Sequence, residues 1–465
     1  MVRHLPEGLT CQAQALSDGD VSSRALVEQS LRRITSTQPT LNAFRWIRAE
    51  AALREADEAD RRLASGVQLP LLGVPIAVKD DTDVAGEPTA FGCPGTFPPA
   101  TVDGEAVRRL RAAGAIIVGK TNTPELGQWP FTEGPAFGDT RNPWNLDHTP
   151  GGSSGGAAAA VAAGVVSAAL GSDGAGSVRI PAAWTHLVGI KTQRGRISTW
   201  PDIELFFGLT GFGPLARSVA DAALLLDVAS GNHPGDWHRP PKVAVLPAVG
   251  REPGRLRIGL SLRSAFAPAS RPLDPVVRSS IVEFAQAVAG LGHEVIEMEP
   301  RYGMIGLSFV PRAAAGVREW SQRVPDHTLL DRRTRGNVRR GRLMGSGGLR
   351  LARSAEYLWH RRIGSIFDRF DVLLTPTTAT PPPRVGVIRG LSSRQTDKVM
   401  MASCPYTWPW NVLGWPAVNV PAGFTPDGLP LGAQLLGPAN SEPLLVSLAA
   451  QIEDTLRWHE YWPAL

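Results

Sequence analysis

Two adjacent serines lie between two pairs of glycines in the segment GGSSGG, residues 151–156. Glycine and serine are typical of flexible linkers, so the segment alone would predict a spacer. However, residues 157–171, AAAAVAAGVVSAALG, predict a buried helix and a buried strand, and residues 173–177 form a second loop of small residues. Packed secondary structure would not follow a spacer at once. The glycines therefore indicate positions where the backbone approaches another group closely, as in oxyanion holes.

Helical segments alternate with short apolar runs along the chain, which predicts the α/β class. Residues 22–38 have helical spacing after a serine cap, which predicts a helix. Residues 104–122 predict a helix that ends at a glycine and is followed by a strand. The run GVPIAVKD at residues 73–80 predicts a buried strand whose apolar part ends at Lys79. Residues 370–383 and 432–437 predict further strands late in the chain. No repeat and no long linker interrupts this order.

Composition excludes several classes of protein. The three cysteines, Cys11, Cys93 and Cys404, are odd in number and far apart, which argues against a disulfide framework or a zinc cluster. The first residues lack the apolar core of a secretory signal, so we expect a cytoplasmic protein. The most apolar run is short and rich in Ala and Gly, and we therefore expect no membrane span.

Arginine is concentrated in residues 301–370, where fifteen arginines stand against five acidic residues. Such an excess could attract phosphates or another anionic surface. The spacing is irregular, and no recognition helix, zinc finger or aromatic RNA-binding motif accompanies it. We therefore expect a solvated helical face and no nucleic-acid partner.

Residues 151–192 resemble the signature segment of the amidase signature family, serine hydrolases of amides. Six further blocks resemble the family and occur in its order: GVPIAVKD, GAIIVGKTNTPEL, FGDTRNPWN, GPLARSVADAALLLD, FDVLLTPT and NVLGWPAVNVPAG. The resemblance implies one α/β domain over residues 1–465, with a large mixed central β-sheet flanked by helices on both sides. Residues 255–375 are the least family-like, and we expect them to form a helical sub-region near the pocket mouth that sets substrate choice.

The resemblance also implies a Ser-Ser-Lys triad. Lys79 matches the base, Ser153 the bridging serine and Ser177 the nucleophile, and the two serines are 24 residues apart, as in the family. The resemblance further implies a cis peptide bond before Ser153 and no metal or organic cofactor. The resemblance implies an oxyanion hole formed by Gly174, Ala175 and Gly176. It also implies supporting positions at Ser154, Asp173 and Arg179.

A lysine acts as a base only when it is neutral, and burial lowers its pKa toward that state. We expect a site without a carboxylate beside Lys79, although the placement of Asp80 and Asp81 stays open. The family usually has Asp-Thr-Gly-Gly-Ser in the oxyanion loop, whereas this chain has Ala175 at the third position. If that position requires a positive φ, Ala175 would distort the oxyanion hole.

The substrate is expected to be a small-molecule amide. Gln128 and Trp129 follow a family block that contributes to the acyl pocket, and Trp408 lies in another aromatic stretch. Such loops favour apolar acyl groups, either aryl or medium-chain. His186 has no evident acid partner and is expected to be a packing or pocket residue.

Two alternatives remain beside this amidase prediction. The first is the glutaminase subunit of a tRNA-dependent amidotransferase, but residues 400–411 lack the acid that these glutaminases place before the late Asn-x-x-Gly block. The second is an inactive scaffold relative, which Ala175 favours and the retention of Lys79, Ser153 and Ser177 opposes. The oligomeric state stays open, with a homodimer as one option.

Overall fold

A computed structural model describes residues 5–265 and 272–464. Within these residues eleven strands form one sheet, in the order β1-β3-β2-β4-β6-β5-β10-β11-β9-β7-β8. The strands are β1 Phe44–Ile47, β2 Pro75–Lys79, β3 Ile116–Thr121, β4 Ala168–Asp173, β5 Val188–Lys191, β6 Gly211–Ala216, β7 Arg257–Leu260, β8 Glu294–Glu297, β9 Val372–Pro376, β10 Ala417–Phe424 and β11 Pro430–Leu436.

The sheet is mixed. Strand β2 is parallel to both of its neighbours, β3 and β4, and β7 is parallel to both β8 and β9. The strands between these two groups pair in antiparallel fashion, as does β1 with β3. Two parallel groups are thus joined by an antiparallel centre in a single α/β domain, which confirms the fold class that the sequence predicts.

Helices cover both faces of the sheet. They are α1 Leu9–Ser17, α2 Ser23–Leu41, α3 Ala49–Ala64, α4 Glu105–Ala112, α5 Gly155–Ala162, α6 Arg179–Trp184, α7 Val219–Ala229, α8 Pro275–Gly290, α9 Gly306–Ser321, α10 Arg332–Leu343, α11 Gly345–Ser354, α12 Glu356–Gly364, α13 Ser393–Ser403, α14 Trp408–Leu413 and α15 Glu442–Leu456. Alternate residues of the central strands enter different cores: Ile76 and Val78 pack with α4 and α7, whereas Ala77 packs with α2 and α5. Burial on both faces explains why these strands read as continuous apolar runs.

The glycines of GGSSGG are required by close packing. A Cβ at Gly152 would lie 2.9 Å from the backbone of Phe131, and one at Gly156 would lie 2.4 Å from the amide nitrogen of Asn122. Gly151 has a φ of 88°, which favours glycine. The segment, which ends in the first turn of α5, therefore packs against the backbone of neighbouring loops and has no room for larger residues at these glycines.

Residues 255–375, apart from 266–271, which lie outside the described residues, contribute strands as well as helices. Strands β7, β8 and β9 belong to the central sheet, and α9 to α12 run between β8 and β9. Some of the arginines here are paired inside the molecule: Arg312 and Arg340 contact Glu356 and Asp397 at 2.7 and 2.9 Å. No helix in the described ranges is both long and apolar enough to cross a membrane.

Candidate active site

The site begins where two parallel strands end side by side. Lys79 is the last residue of β2, and its neighbour β4 ends with Ser172 and Asp173. Because the ends of parallel strands meet at one edge of a sheet, side chains from both strands converge there. Lys79 and Ser172 are only 1% and 3% exposed. The fold therefore places a lysine and a serine hydroxyl together in a buried position.

The amine of Lys79 has three polar contacts. Its Nζ lies 2.7 Å from Ser153 Oγ, 2.8 Å from Ser172 Oγ and 3.1 Å from Asp81 Oδ2. The expectation that no carboxylate lies beside the lysine is therefore wrong. The chain turns after β2, which brings the Asp81 side chain back against Lys79, whereas Asp80 pairs with Lys120 at 3.0 Å.

Two opposing influences set the protonation of Lys79. Burial lowers its pKa, because the ammonium loses its hydration, and the carboxylates of Asp81 and Asp173 act in the opposite direction. Burial is the larger influence, so the pKa of Lys79 lies below its ordinary value of 10.5. A lowered pKa is what a lysine needs in order to act as a base near neutral pH.

The loop that carries Ser153 is held by its neighbours. The peptide bond between Gly152 and Ser153 is cis, as the resemblance implies. The Ser154 amide donates to the carbonyl oxygen of Ser177 at 3.1 Å, and the Ser154 hydroxyl donates to the carbonyl oxygen of Ser172 at 3.2 Å. Ser154 thus connects the first serine loop to both β4 and the second loop.

Ser177 faces the same cavity as Ser153 and Lys79. It is half-buried, and its hydroxyl makes no hydrogen bond to any of the residues that the structure describes. Its proton and lone pairs are therefore available to a bound molecule.

The second loop supplies backbone amides, but not all those predicted. The Gly176 amide donates to Asp173 Oδ1 at 2.7 Å, so it is not free for an oxyanion, which corrects the sequence assignment. The amides of Gly174, Ala175 and Ser177 have no acceptor within residues 5–265 and 272–464. These three amides lie in the same loop as Ser177 and are available to donate to a bound molecule.

Ala175 does not distort this loop. The positive φ, 119°, belongs to Gly176, and Ala175 is not among the residues with positive φ. A Cβ at Gly176 would also lie 2.3 Å from Thr407 Oγ1, whereas the Ala175 carbonyl accepts a hydrogen bond from that hydroxyl at 2.6 Å. The loop therefore needs glycine one position after Ala175.

Asp173 and Arg179 form a buried ion pair under the second loop. Arg179 Nη2 lies 3.0 Å from Asp173 Oδ1, and both side chains are fully buried. The amide of Asn411 donates to Asp173 at 2.8 Å, and Asn411 accepts from Arg179 at 2.7 Å. Arg179 and the other donors hold the pKa of Asp173 well below its usual range. The ionised carboxylate fixes the loop through the Gly176 amide.

A cavity of about 310 Å³ opens above the serines. Its wall is mostly apolar, and the predicted residues Gln128, Trp129 and Trp408 all line it. Helix α9 supplies much of the wall, including Phe309, Ala313, Val317 and Trp320, and α10 supplies Asn337 and Arg340. Besides Lys79 and Asp81, the charged residues of the lining are Arg340 and Asp397, which pair with each other.

Gln128 has a fixed orientation in this wall. Its Nε2 donates to Thr334 Oγ1 at 2.8 Å and to the carbonyl of Glu125, and its Oε1 accepts from Asn337 at 2.6 Å. The hydroxyl of Thr334 donates to the buried carboxylate of Glu125 at 2.5 Å. These bonds attach α10 to the loop that follows β3.

His186 lies away from the cavity. It is buried, and its ring stacks on Phe424 with the centroids 4.4 Å apart, so it is a packing residue, as predicted. Burial lowers its pKa to about 3. Among the described residues, no group of three or more His, Cys, Asp or Glu side chains is arranged to hold a metal ion.

Sequence reasoning missed three residues around the amine. Asp81 and Ser172 contact Lys79 directly, and Gly127 has a φ of 59° beside Ser153 and Lys79. In the sequence, Asp81 is only one of two acids after the strand, and Ser172 is only the last residue before the second loop. A sequence pattern does not say which way such side chains turn.

Comparisons with known proteins agree with this geometry. The amidase family profile matches residues 25–446. "Putative amidase AmiA2" of Mycobacterium tuberculosis is 57% identical over 451 residues, covering 97% of this chain and 93% of that protein. A glutamyl-tRNA(Gln) amidotransferase subunit of Synechococcus is 36% identical over 475 residues, 95% of each protein. The structure of 6-aminohexanoate cyclic dimer hydrolase superimposes with a TM-score of 0.91 at 31% identity and 99% coverage of both chains. The chain therefore belongs to the amidase signature family and is an amidase.

Proposed function

We propose that this amidase hydrolyses a carboxylic acid amide with an apolar acyl group, through an acyl-enzyme on Ser177. The observation that carries the proposal is the 2.7 Å contact between Lys79 Nζ and Ser153 Oγ at the floor of a cavity that also exposes Ser177. A serine hydroxyl is a weak nucleophile, and a buried lysine with a lowered pKa is a suitable base for it.

Acylation proceeds through a proton relay. Neutral Lys79 takes the proton of Ser153, which takes that of Ser177, and Ser177 Oγ forms a bond to the amide carbonyl carbon. The free amides of Gly174, Ala175 and Ser177 stabilise the oxyanion, each by about 3 kcal/mol as in other oxyanion holes. Ser153 then protonates the leaving nitrogen and regains a proton from Lys79, while the C–N bond breaks.

Deacylation uses the same relay. Water gives a proton to Ser153, which passes its own to Lys79, as the water oxygen attacks the ester carbon. The C–O bond to Ser177 then breaks, Ser177 recovers a proton from Ser153, and Ser153 recovers one from Lys79, so that the carboxylic acid leaves and ionises. Each cycle therefore consumes one amide and one water and returns every site residue to its starting state.

The cavity supports the choice of acyl group. Its wall consists largely of Phe, Leu, Ala, Val and Trp side chains, and burial of each methylene contributes about 0.8 kcal/mol. One structural neighbour is named 6-aminohexanoate cyclic dimer hydrolase, and the substrate in that name has a medium-length aliphatic chain. Free glutamine fits less well, because the two charged lining residues outside the lysine cluster, Arg340 and Asp397, neutralise each other.

The test is release of amine and carboxylate from a panel of amides between pH 6 and 10. The panel contains glutamine, acetamide, a linear aliphatic series and aryl amides, and it compares wild type with Ser177→Ala. Ser346→Ala, an exposed serine on α11, is the matched control. We expect turnover of apolar amides, its loss in Ser177→Ala and its retention in the control. A preference for glutamine or acetamide would overturn the acyl assignment, and undiminished turnover in Ser177→Ala would overturn the mechanism.

A further inference from the structure

Asp81 is buried against the amine of Lys79. Its Oδ2 lies 3.1 Å from Lys79 Nζ, and both side chains are 1% exposed. The same oxygen accepts a hydrogen bond from Ser172 Oγ at 2.5 Å, and Asp81 Oδ1 accepts one from Thr82 Oγ1 at 3.1 Å. Hydrogen bonds to both of its oxygens therefore hold the Asp81 carboxylate in place.

For an ionised carboxylate and a neutral amine, these contacts restrict the direction of each hydrogen bond. An ionised carboxylate only accepts, so Ser172 must donate its one proton to Asp81. Ser172 Oγ can then only accept from Lys79, and Asp81 also accepts from Lys79. A neutral amine has two N–H bonds and one lone pair for its three neighbours. In the proposed relay Nζ receives the proton of Ser153, so we assign the lone pair to the 2.7 Å contact with Ser153 Oγ and the two N–H bonds to Ser172 and Asp81.

We propose that Asp81 is a positioning residue that holds Lys79, directly and through Ser172, with its lone pair directed at Ser153. The inference rests on the proposed function, in which Lys79 is the base. When the relay delivers a proton from Ser153, Nζ becomes an ammonium with three acceptors already in place. The proton then returns from Nζ to Ser153 as Ser153 protonates the leaving nitrogen.

Other charged groups near the amine are paired elsewhere. Asp173, at the end of β4, acts on Lys79 but is bonded to Arg179 at 3.0 Å. Asp80 turns to the β3 side, where Lys120 lies at 3.0 Å and Arg45 at 3.7 Å. Among the described residues, Asp81 is thus the carboxylate in contact with Lys79 Nζ. Its removal changes the electrostatic environment of the base without breaking either of these other pairs.

The experiment measures the rate at which a fluorophosphonate labels Ser177, as a function of pH, in wild type and Asp81→Asn. The reagent forms a P–O bond to Ser177 and releases fluoride, so it reports on the relay without a known substrate. Asp81→Asn removes the negative charge that favours the ammonium, so we expect the pH midpoint of labelling to fall by about 1–3 units. We also expect a lower plateau rate, because the lone pair is less well directed.

Two variants separate a positioning role from a structural one. Ser172→Ala retains the charge of Asp81, so its midpoint should stay closer to wild type while its plateau falls. Asp83→Asn makes the same chemical change at a carboxylate that accepts from Thr89 instead, and its midpoint should equal that of wild type. An unchanged midpoint in Asp81→Asn overturns the inference. If Ser177→Ala is labelled as fast as wild type, the result would instead contradict the proposed function.

Discussion

Gly127 lies so close to Ser153 that a Cβ on this glycine would be 3.3 Å from Ser153 Oγ and 3.8 Å from Lys79 Nζ. Its φ of 59° is one that residues with a side chain rarely adopt. The loop after β3 therefore covers the contact between Lys79 and Ser153 with backbone alone, one residue before Gln128 in the cavity wall.

Gly127→Ala is expected to lower kcat/KM by about 10–100-fold, because displacing Ser153 by a fraction of an ångström misaligns the relay. Gly86→Ala is the matched control, since Gly86 also has a positive φ, 83°, but nothing lies within 4 Å of its added Cβ. Both variants carry the backbone strain, and only Gly127→Ala crowds the relay. Steady-state kinetics with the best amide of the panel measure the effect, and equal activities in the two variants would contradict it.

Ala175→Gly is expected to leave kcat within about twofold of wild type, because the positive φ of the loop belongs to Gly176. Gly176→Ala provides the contrast, since its Cβ would meet Thr407 Oγ1 at 2.3 Å and it would also require φ near 119°. That variant should lose nearly all turnover. The test is kcat of both variants and of wild type, measured side by side with the same amide. A several-fold gain in Ala175→Gly would mean that Ala175 impairs the proposed oxyanion hole.

The sequence predicts the elements of this site better than their mutual contacts. Lys79, Ser153 and Ser177 could be singled out because each lies in a block that resembles the family, and the structure places all three around one cavity. The contact between Asp81 and Lys79 could not, because it depends on how the chain turns after β2. The assignment of Gly176 to the oxyanion hole failed for a related reason: the Asp173 side chain captures its amide. Local patterns specify strands and loops, whereas hydrogen-bond partners depend on packing between distant segments.

Glu453, on α15, is expected to make the folded state less stable as pH rises. Burial raises its pKa to about 8 from 4.5, although the Val219 amide donates to it. The unfolded carboxyl loses its proton above about 4.5, whereas the folded one retains it, so the folded state binds more protons across this window. The free energy of unfolding should therefore fall between pH 4.5 and 8, by roughly 3–5 kcal/mol from this group.

Urea unfolding at a series of pH values measures this slope, and Glu453→Gln should flatten it because glutamine does not titrate. Glu283→Gln, an exposed carboxyl on α8, is the control and should leave the slope as in wild type. If Glu453→Gln and wild type have parallel curves, Glu453 does not carry the effect.

Ala313 lies on the cavity-facing side of α9, where a larger side chain would shorten the space available to an acyl group. Ala313→Phe is therefore expected to reduce kcat/KM for long acyl amides while short ones are unaffected. Each methylene excluded from the cavity should cost about 0.8 kcal/mol, or roughly fourfold in kcat/KM. A series of linear amides of increasing length, measured with wild type and Ala313→Phe, gives the chain length at which the two curves part. Ala289→Phe, on the exposed face of α8, should follow the wild-type curve. A uniform loss at every chain length would indicate a damaged site instead, and no loss at any length would show that the acyl group binds elsewhere.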